Sequence, residues 1–218
     1  MSHKAYWHEK YNLGNEPSQG LMDLLSQFMM PRMEKGLDLG CGKGRNLPVL
    51  EKMCNQVVAL EANETAFNKV QQDYSDVTAV NDVFQDYAHE HQEEFDIILA
   101  WRVLHLGVKE ECLENLETVR TMLKPRGLLL IANSARQCKF YEITKNESDS
   151  TEIEPGTIYR ANSGHDIRHF FTKKEFDNLS GFFPKAVTTF YERKGGNPNK
   201  IKTYYGGLFE NGREKNKQ

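Results

Sequence analysis

Three glycines at alternate positions end an apolar run in Leu37-Asp38-Leu39-Gly40-Cys41-Gly42-Lys43-Gly44. Glycine permits positive φ and lets a ligand approach the backbone closely, and a helix starting just beyond the turn offers free N–H groups. The stretch reads as a buried strand, a turn and a helix. Open α/β sheets bind ligands at such turns, at the carboxyl ends of parallel strands. A carboxylate, Glu61, stands 21 residues after Gly40 at the end of the next apolar run. From there it can accept both hydroxyls of a ribose. Two ligand classes fit this geometry. A dinucleotide calls for G-x-G-x-x-G, but Arg45 occupies the sixth position, where the third glycine would pack helix on strand. Gly44 gives G-x-G-x-G instead.

Other polar residues could also do chemistry. His105 has a side chain that can act as a base near neutral pH. His165 and His169, spaced i and i+4 beside Asp166, would suit a metal on a helix. Ser163-Gly164 before them and Phe170-Phe171-Thr172 after them read instead as a loop entering a short strand, so no metal is assigned. Arg168 within that segment is expected to face substrate or to serve the structure. Near the N-terminus Tyr6, Trp7 and Tyr11 could close over a bound ligand.

These residues need a scaffold, and the pattern supplies one. Leu21, Leu24, Leu25 and Phe28 have helical spacing up to Pro31. Short apolar runs at 37–40, 56–61, 77–83, 95–101 and 127–133 read as strands. They alternate with helical stretches at 45–53, 63–74 and 109–123, and Asn63 suits an N-cap. Continuous rather than alternating apolar strands argue for a parallel sheet covered on both faces. Residues 136–168 read as a long, irregular, polar loop or lid. A short helix is expected over 172–180, then strands at 187–193 and 202–210 joined through Gly195-Gly196-Asn197-Pro198, with a frayed tail from Asn211. The expected organisation is one domain over 1–218, with an N-terminal helical cap at 1–30 and a substrate-side insert at 136–171.

The glycine turn resembles the first motif of the class I S-adenosylmethionine-dependent methyltransferases, and the resemblance extends over about residues 35–210. It implies a Rossmann-like seven-stranded α/β fold with helices on both faces and a C-terminal antiparallel hairpin. Asp38 would bond the cofactor's ammonium group through water, while Gly40, Cys41, Gly42, Gly44 and Asn46 form the loop beneath it. Glu61 matches the ribose-binding acid, and Ala62 would lie against the adenine. Asp82 and Val83 match the family's adenine contacts, a carboxylate for the exocyclic amine and a backbone N–H for a ring nitrogen. Leu123-Lys124-Pro125-Arg126-Gly127 matches the turn before the fifth strand. Trp101 would border the cofactor, with Arg102 and His105 beside the transferred methyl group as catalytic candidates. Tyr6, Trp7, Tyr11 and Arg168 would face substrate. The N-terminal W-H-E-K-Y followed by Glu16-Pro17-Ser18 also resembles the tellurite-resistance and thiopurine methyltransferase groups.

Composition narrows the function. A net charge of −3 with interspersed signs is unlike the basic footprint of a nucleic-acid binder. No apolar run approaches the ~20 residues of a membrane span. Four cysteines without a CxxC pair read as reduced thiols, so a cytoplasmic protein is expected. The leading expectation is methyl transfer from S-adenosylmethionine, leaving S-adenosylhomocysteine, to a small-molecule acceptor. The alternatives are an RNA or protein methyltransferase, or a regulatory protein that binds the cofactor without turnover. The DPPY-type tetrapeptide of amino-methylating nucleic-acid enzymes is absent; the sequence there is Ala100-Trp101-Arg102-Val103. Acceptor atom and oligomeric state are left open by the sequence.

Overall fold

A computed structural model describes residues 16–163, 166–181, 183, 185–194 and 201–212. The chain runs α1 (Gln19–Leu25), β1 (Met33–Leu39), α2 (Leu47–Met53), β2 (Cys54–Leu60), α3 (Glu64–Asp73), β3 (Thr78–Val80), α4 (Phe84–Glu90), β4 (Phe95–Trp101), α5 (Lys109–Met122) and β5 (Leu123–Ser134). There follow α6 (Lys139–Lys145), β6 (Ser150–Glu154), β7 (Thr157–Arg160), β8 (Asp166–His169), α7 (Lys173–Asp177), β9 (Lys185–Lys194) and β10 (Ile201–Glu210).

The main sheet has the order β3-β2-β1-β4-β5-β10-β9. Its first five strands are parallel, and β10 and β9 add antiparallel to β5. The apolar strands demand cover on both faces, and they receive it. Ile98 and Ala100 of β4 enter one core layer with α5, while Ile97, Leu99 and Trp101 enter the other with α1 and α2. Strand order reverses between β1 and β4, so the crevice at their carboxyl ends is a topological switch point.

Local chemistry sets the ends of the elements. Asn63 caps α3 by accepting from the Ala66 amide at 3.1 Å, and Thr172 with Glu175 forms a reciprocal capping box at α7. Lys124-Pro125-Arg126-Gly127 does not precede β5 but sits inside it as a bulge. Pairing with β4 jumps from Phe95↔Leu123 to Ile97↔Leu128, and Arg126 takes φ +65°. The tail does not fray at Asn211. That side chain is wholly buried, and its amide donates to the carbonyls of Leu123 at 3.1 Å and Lys124 at 3.2 Å.

The largest departure from expectation lies at 136–168. Instead of an irregular loop, the described residues form α6 and a three-stranded antiparallel sheet of order β6-β7-β8. Its own small core joins Phe140, Tyr141, Ile158 and Phe170. Glu152 ties the unit together, accepting from Lys145 Nζ at 2.6 Å, the Gly156 amide at 2.8 Å and the Tyr141 hydroxyl. Backbone bonds from Gly107 to Ile167 (3.0 Å) and from His169 to His105 (2.9 Å) fasten β8 to the segment leaving β4.

Candidate functional site

The glycine turn is folded back on the end of β2. The amides of Gly40 and Cys41 both donate to the Leu60 carbonyl, at 2.9 and 3.1 Å. Gly40 has φ +64°, and a Cβ there would stand 2.7 Å from Val103 Cγ2. At Gly44, with φ +79°, a Cβ would meet Leu47 and Tyr74 at 2.7 Å. Glycine is therefore required at both positions by conformation and by space.

Glu61 braces this turn. One carboxylate oxygen accepts from the Gly42 amide and the other from the Asn63 amide, each at 2.8 Å. Burial raises its pKa, and those two N–H groups oppose the rise. Each carboxylate oxygen still has acceptor capacity for a hydroxyl. Asp38, 2 % exposed at the carboxyl end of β1, has its Oδ2 buried without a hydrogen-bond partner. Burial pushes its pKa up to about 8, against the pull of Arg45 and with a further push from Glu61. An acid with one unpartnered buried oxygen beside a braced acid suits a ligand with both a cationic group and vicinal hydroxyls. Cys41 is buried in the same turn. Burial first, then Asp38 and Glu61, raise its thiol well above the ordinary range, so it stays protonated.

Ala62 is exposed beside Glu61, and Asp82 and Val83 lie at the open edge beyond β3. There the Asp82 carboxylate accepts from the Val83 amide at 2.7 Å. Asn46 and Trp101 converge on one residue that sequence reasoning did not single out. The Ser18 amide donates to Asn46 Oδ1 at 3.0 Å, and Trp101 Nε1 donates to the Ser18 hydroxyl at 2.9 Å. The segment entering α1 thus lies across the carboxyl ends of β1 and β4. Tyr6, Trp7 and Tyr11 precede it, outside the described residues.

At the end of β4 the chain turns sharply: Arg102 adopts φ +68°, and its amide donates to Ala132 at 2.9 Å. Its guanidinium lies 5.6 Å from the centre of the Tyr204 ring, while Nε is buried with no hydrogen-bond partner. His105 is 2 % exposed, and its Nδ1 is likewise unpartnered. Burial lowers its pKa well below the ordinary histidine range, and the guanidiniums of Arg168 and Arg102 act in the same direction. The Asn133 amide is near enough to oppose that shift, yet neither of its polar atoms makes a bond of hydrogen-bond geometry. The imidazole is therefore neutral at physiological pH. Arg168, buried, meets Asp166 Oδ2 at 3.3 Å, and its Nε has no partner.

The structure thus brings Asp38, the glycine turn and Glu61 to one side of the switch point, and Arg102, His105 and Arg168 to the other. Asn133 and Tyr204 belong to the second group and were missed. A polar residue closing the apolar run Gly127–Asn133 was the one signal for Asn133. His165 lies outside the described residues. His169 Nδ1 sits 2.8 Å from Thr157 Oγ1, and among the described residues no cluster of side chains suited to a metal is present.

Among solved structures, a Methanosarcina mazei protein described as a SAM-dependent methyltransferase is 17 % identical, with a TM-score of 0.68 over 91 % of this chain and 100 % of that one. The Burkholderia thailandensis 1,6-didemethyltoxoflavin-N1-methyltransferase, solved with 1,6-didemethyltoxoflavin and S-adenosylhomocysteine, is 15 % identical, with a TM-score of 0.65 over 96 % and 85 %. The N-methyltransferase NodS of Bradyrhizobium japonicum, solved with S-adenosylhomocysteine, is 13 % identical, with a TM-score of 0.64 over 98 % and 100 %. At these identities the likeness is one of fold. No curated protein matches the sequence. The methyltransferase domain family matches over residues 8–180, most of the chain. This chain belongs to that family and is a methyltransferase.

Proposed function

We propose that the enzyme transfers a methyl group from S-adenosylmethionine to a small-molecule acceptor at the switch point between β1 and β4. The donor is S-adenosylmethionine. The observation that carries the site assignment is the buried, unpartnered Oδ2 of Asp38 beside the glycine turn. Its chemistry fits the donor's ammonium group, directly or through water. Glu61 is held by two backbone amides with acceptor capacity left for the ribose hydroxyls. Gly40 and Gly44 give the turn its left-handed backbone and its close packing on Val103, Leu47 and Tyr74. Ala62, Asp82 and Val83 line the open edge that suits the adenine. When bound, the donor supplies a methyl carbon already activated for in-line displacement by its sulfonium.

The remaining roles fall to the chain. Trp101 and Asn46, joined through Ser18, hold the N-terminal segment against the crevice and restrict water. Arg102 and Arg168 orient the acceptor. His105, neutral and unprotonated at Nδ1 or Nε2, takes the acceptor's proton. The unit at 136–171 forms the acceptor side of a single-domain enzyme whose sheet ends in the β9–β10 hairpin, as in class I members. A small-molecule acceptor is supported by the 1,6-didemethyltoxoflavin that a structural neighbour binds. The tellurite-resistance and thiopurine likeness rests on Trp7–Tyr11 and Glu16–Ser18. No helix among the described residues is long and apolar enough to cross a membrane, and the cysteines are unpaired, which supports a cytoplasmic site of action.

Calorimetry with S-adenosylhomocysteine tests this reading. Binding is expected, and Glu61→Ala should weaken it by about 1–3 kcal/mol, the scale of lost hydrogen bonds to a charged group. No binding by the native protein overturns the reading, and undiminished binding by the variant misplaces the ribose.

A further inference from the structure

We infer that the methyl acceptor carries an oxyanion, a carboxylate or a phosphate, which is seated between Arg102 and Arg168. The inference rests on the methyl-transfer reading above and adds the chemical class of the acceptor. Three separate segments build the seat. The left-handed turn at Arg102 brings one guanidinium from the end of β4 across the Tyr204 ring. The β8 strand, fastened by backbone bonds to the 105–107 segment, brings Arg168 from the insert. Asn133, at the end of β5, adds an uncharged amide.

The polar atoms here are unsatisfied in a way that a packed core avoids. Arg102 Nε, Arg168 Nε, His105 Nδ1 and both polar atoms of Asn133 are buried and make no hydrogen bond. Most buried polar groups in folded proteins are paired, so a cluster of unpaired ones calls for a partner. Arg168 is 7 % exposed, and its carboxylate neighbour Asp166 is shared, because Arg160 pairs with the same oxygen. Arg168 is left with a single contact of 3.3 Å rather than a two-pronged pair. Arg102 and Arg168 are near enough to repel each other.

Two neighbouring cations with unused donors, Arg168 buried and Arg102 partly buried with its Nε enclosed, are stabilised more by an anion than by a neutral ligand, which would complete their burial without compensating their charge. The fork of a guanidinium matches the planar oxygens of a carboxylate and the tetrahedral oxygens of a phosphate. The Tyr204 ring holds the Arg102 fork in place before the ligand arrives. The oxyanion serves as the handle, and the acceptor's nucleophilic atom is then presented to the crevice at the end of β1.

The test uses the full chain saturated with S-adenosylhomocysteine, with saturation verified by a separate titration for every protein. Benzoate, phenyl phosphate and the neutral benzamide are then titrated by calorimetry. At least one anion is expected to bind tenfold or more tightly than benzamide, and the better of the two identifies the oxyanion. Arg102→Gln should lower that anion's affinity at least tenfold, with Arg102→Lys recovering part of it. Arg168→Gln should do the same; if it fails to fold, the partly buried Arg102 decides alone. Benzamide binding as well as both anions, or an Arg102→Gln protein that binds the anion as the native one does, overturns the inference. Failure of S-adenosylhomocysteine itself to bind overturns the donor reading instead.

Discussion

The two sides of the switch point are opposites in charge and in construction. The β1 side is acidic and local. Asp38, the glycine turn and Glu61 come from one strand–turn–helix unit and the strand beside it, and one backbone amide braces each oxygen of Glu61. The β4–β8 side is basic and assembled. Arg102, Asn133 and Arg168 arrive from three distant segments, and the Nε of each arginine and both polar atoms of Asn133 are left without partners. In the proposed function the first side takes the donor and the second takes the acceptor. A cationic donor on the acidic side and an anionic acceptor on the basic side would each find compensation in the chain and in the other.

The largest expected effect separates the two sides by chemistry. His105→Gln keeps size and polarity but removes a base. If His105 takes the acceptor's proton, turnover should fall by about 10²–10⁴-fold while S-adenosylhomocysteine affinity is unchanged. Transfer of label from methyl-labelled donor to an acceptor found among small anions measures this. In the native enzyme the rate should not bend near pH 6.5, because the imidazole is held neutral well below that point. A variant within twofold of the native rate removes His105 from the chemistry and leaves positioning to the arginines.

A smaller effect lies on the acidic side and has a definite sign. Asp38 titrates at about 8 in the folded, donor-free protein but near its ordinary value of 3.8 when unfolded. The folded state therefore binds more protons between those values, and this group's contribution to stability is lost as pH rises from about 4 to about 8. The difference in melting temperature between Asp38→Asn and the native protein should widen in the variant's favour across that window. Donor binding runs the other way. The ammonium group favours the carboxylate, so native affinity for S-adenosylhomocysteine should rise toward pH 8, with about one proton released per binding event at pH 7. Calorimetry in buffers of different ionisation enthalpy counts that proton. No release, or release that persists in Asp38→Asn, assigns the coupling elsewhere.

The same contrast governs what could be read from the sequence. The acidic side was legible because its chemistry is contiguous: a glycine turn after a buried strand and an acid after the next strand keep their meaning in one dimension. The helices and buried strands were legible from their periodicity. On the acceptor side the sequence singles out Arg102, His105 and Arg168 one by one, but not their meeting with Asn133 and Tyr204, which comes about only through strand order and the β8 bridge. The β6 strand is inverted with respect to the usual signal. Ile153, its one large apolar residue, is 47 % exposed, while Ser150, Glu152 and Glu154 face inward. A strand held by carboxylates rather than by apolar alternation reads as a loop. Ser18 was illegible for a related reason, since its role is defined by two partners 28 and 83 residues away.

The smallest expected effect follows from that inverted strand. Lys145, the Tyr141 hydroxyl and the Gly156 amide together draw the Glu152 pKa down to about 2, so the carboxylate is ionised throughout the working range. The site is solvent-accessible, and screening reduces each contact, so Glu152→Gln should cost no more than about 1 kcal/mol of stability. If β6–β8 serves only the acceptor side, S-adenosylhomocysteine affinity should not change, while affinity for the anions that Arg168 binds should fall severalfold as β8 loosens. Hydrogen exchange at the amides of Ile158 and Ile167 reports the loosening directly. Equal loss of donor and anion binding would show that the small sheet supports both sides of the switch point, and the division between an acidic and a basic half would then describe charge but not mechanics.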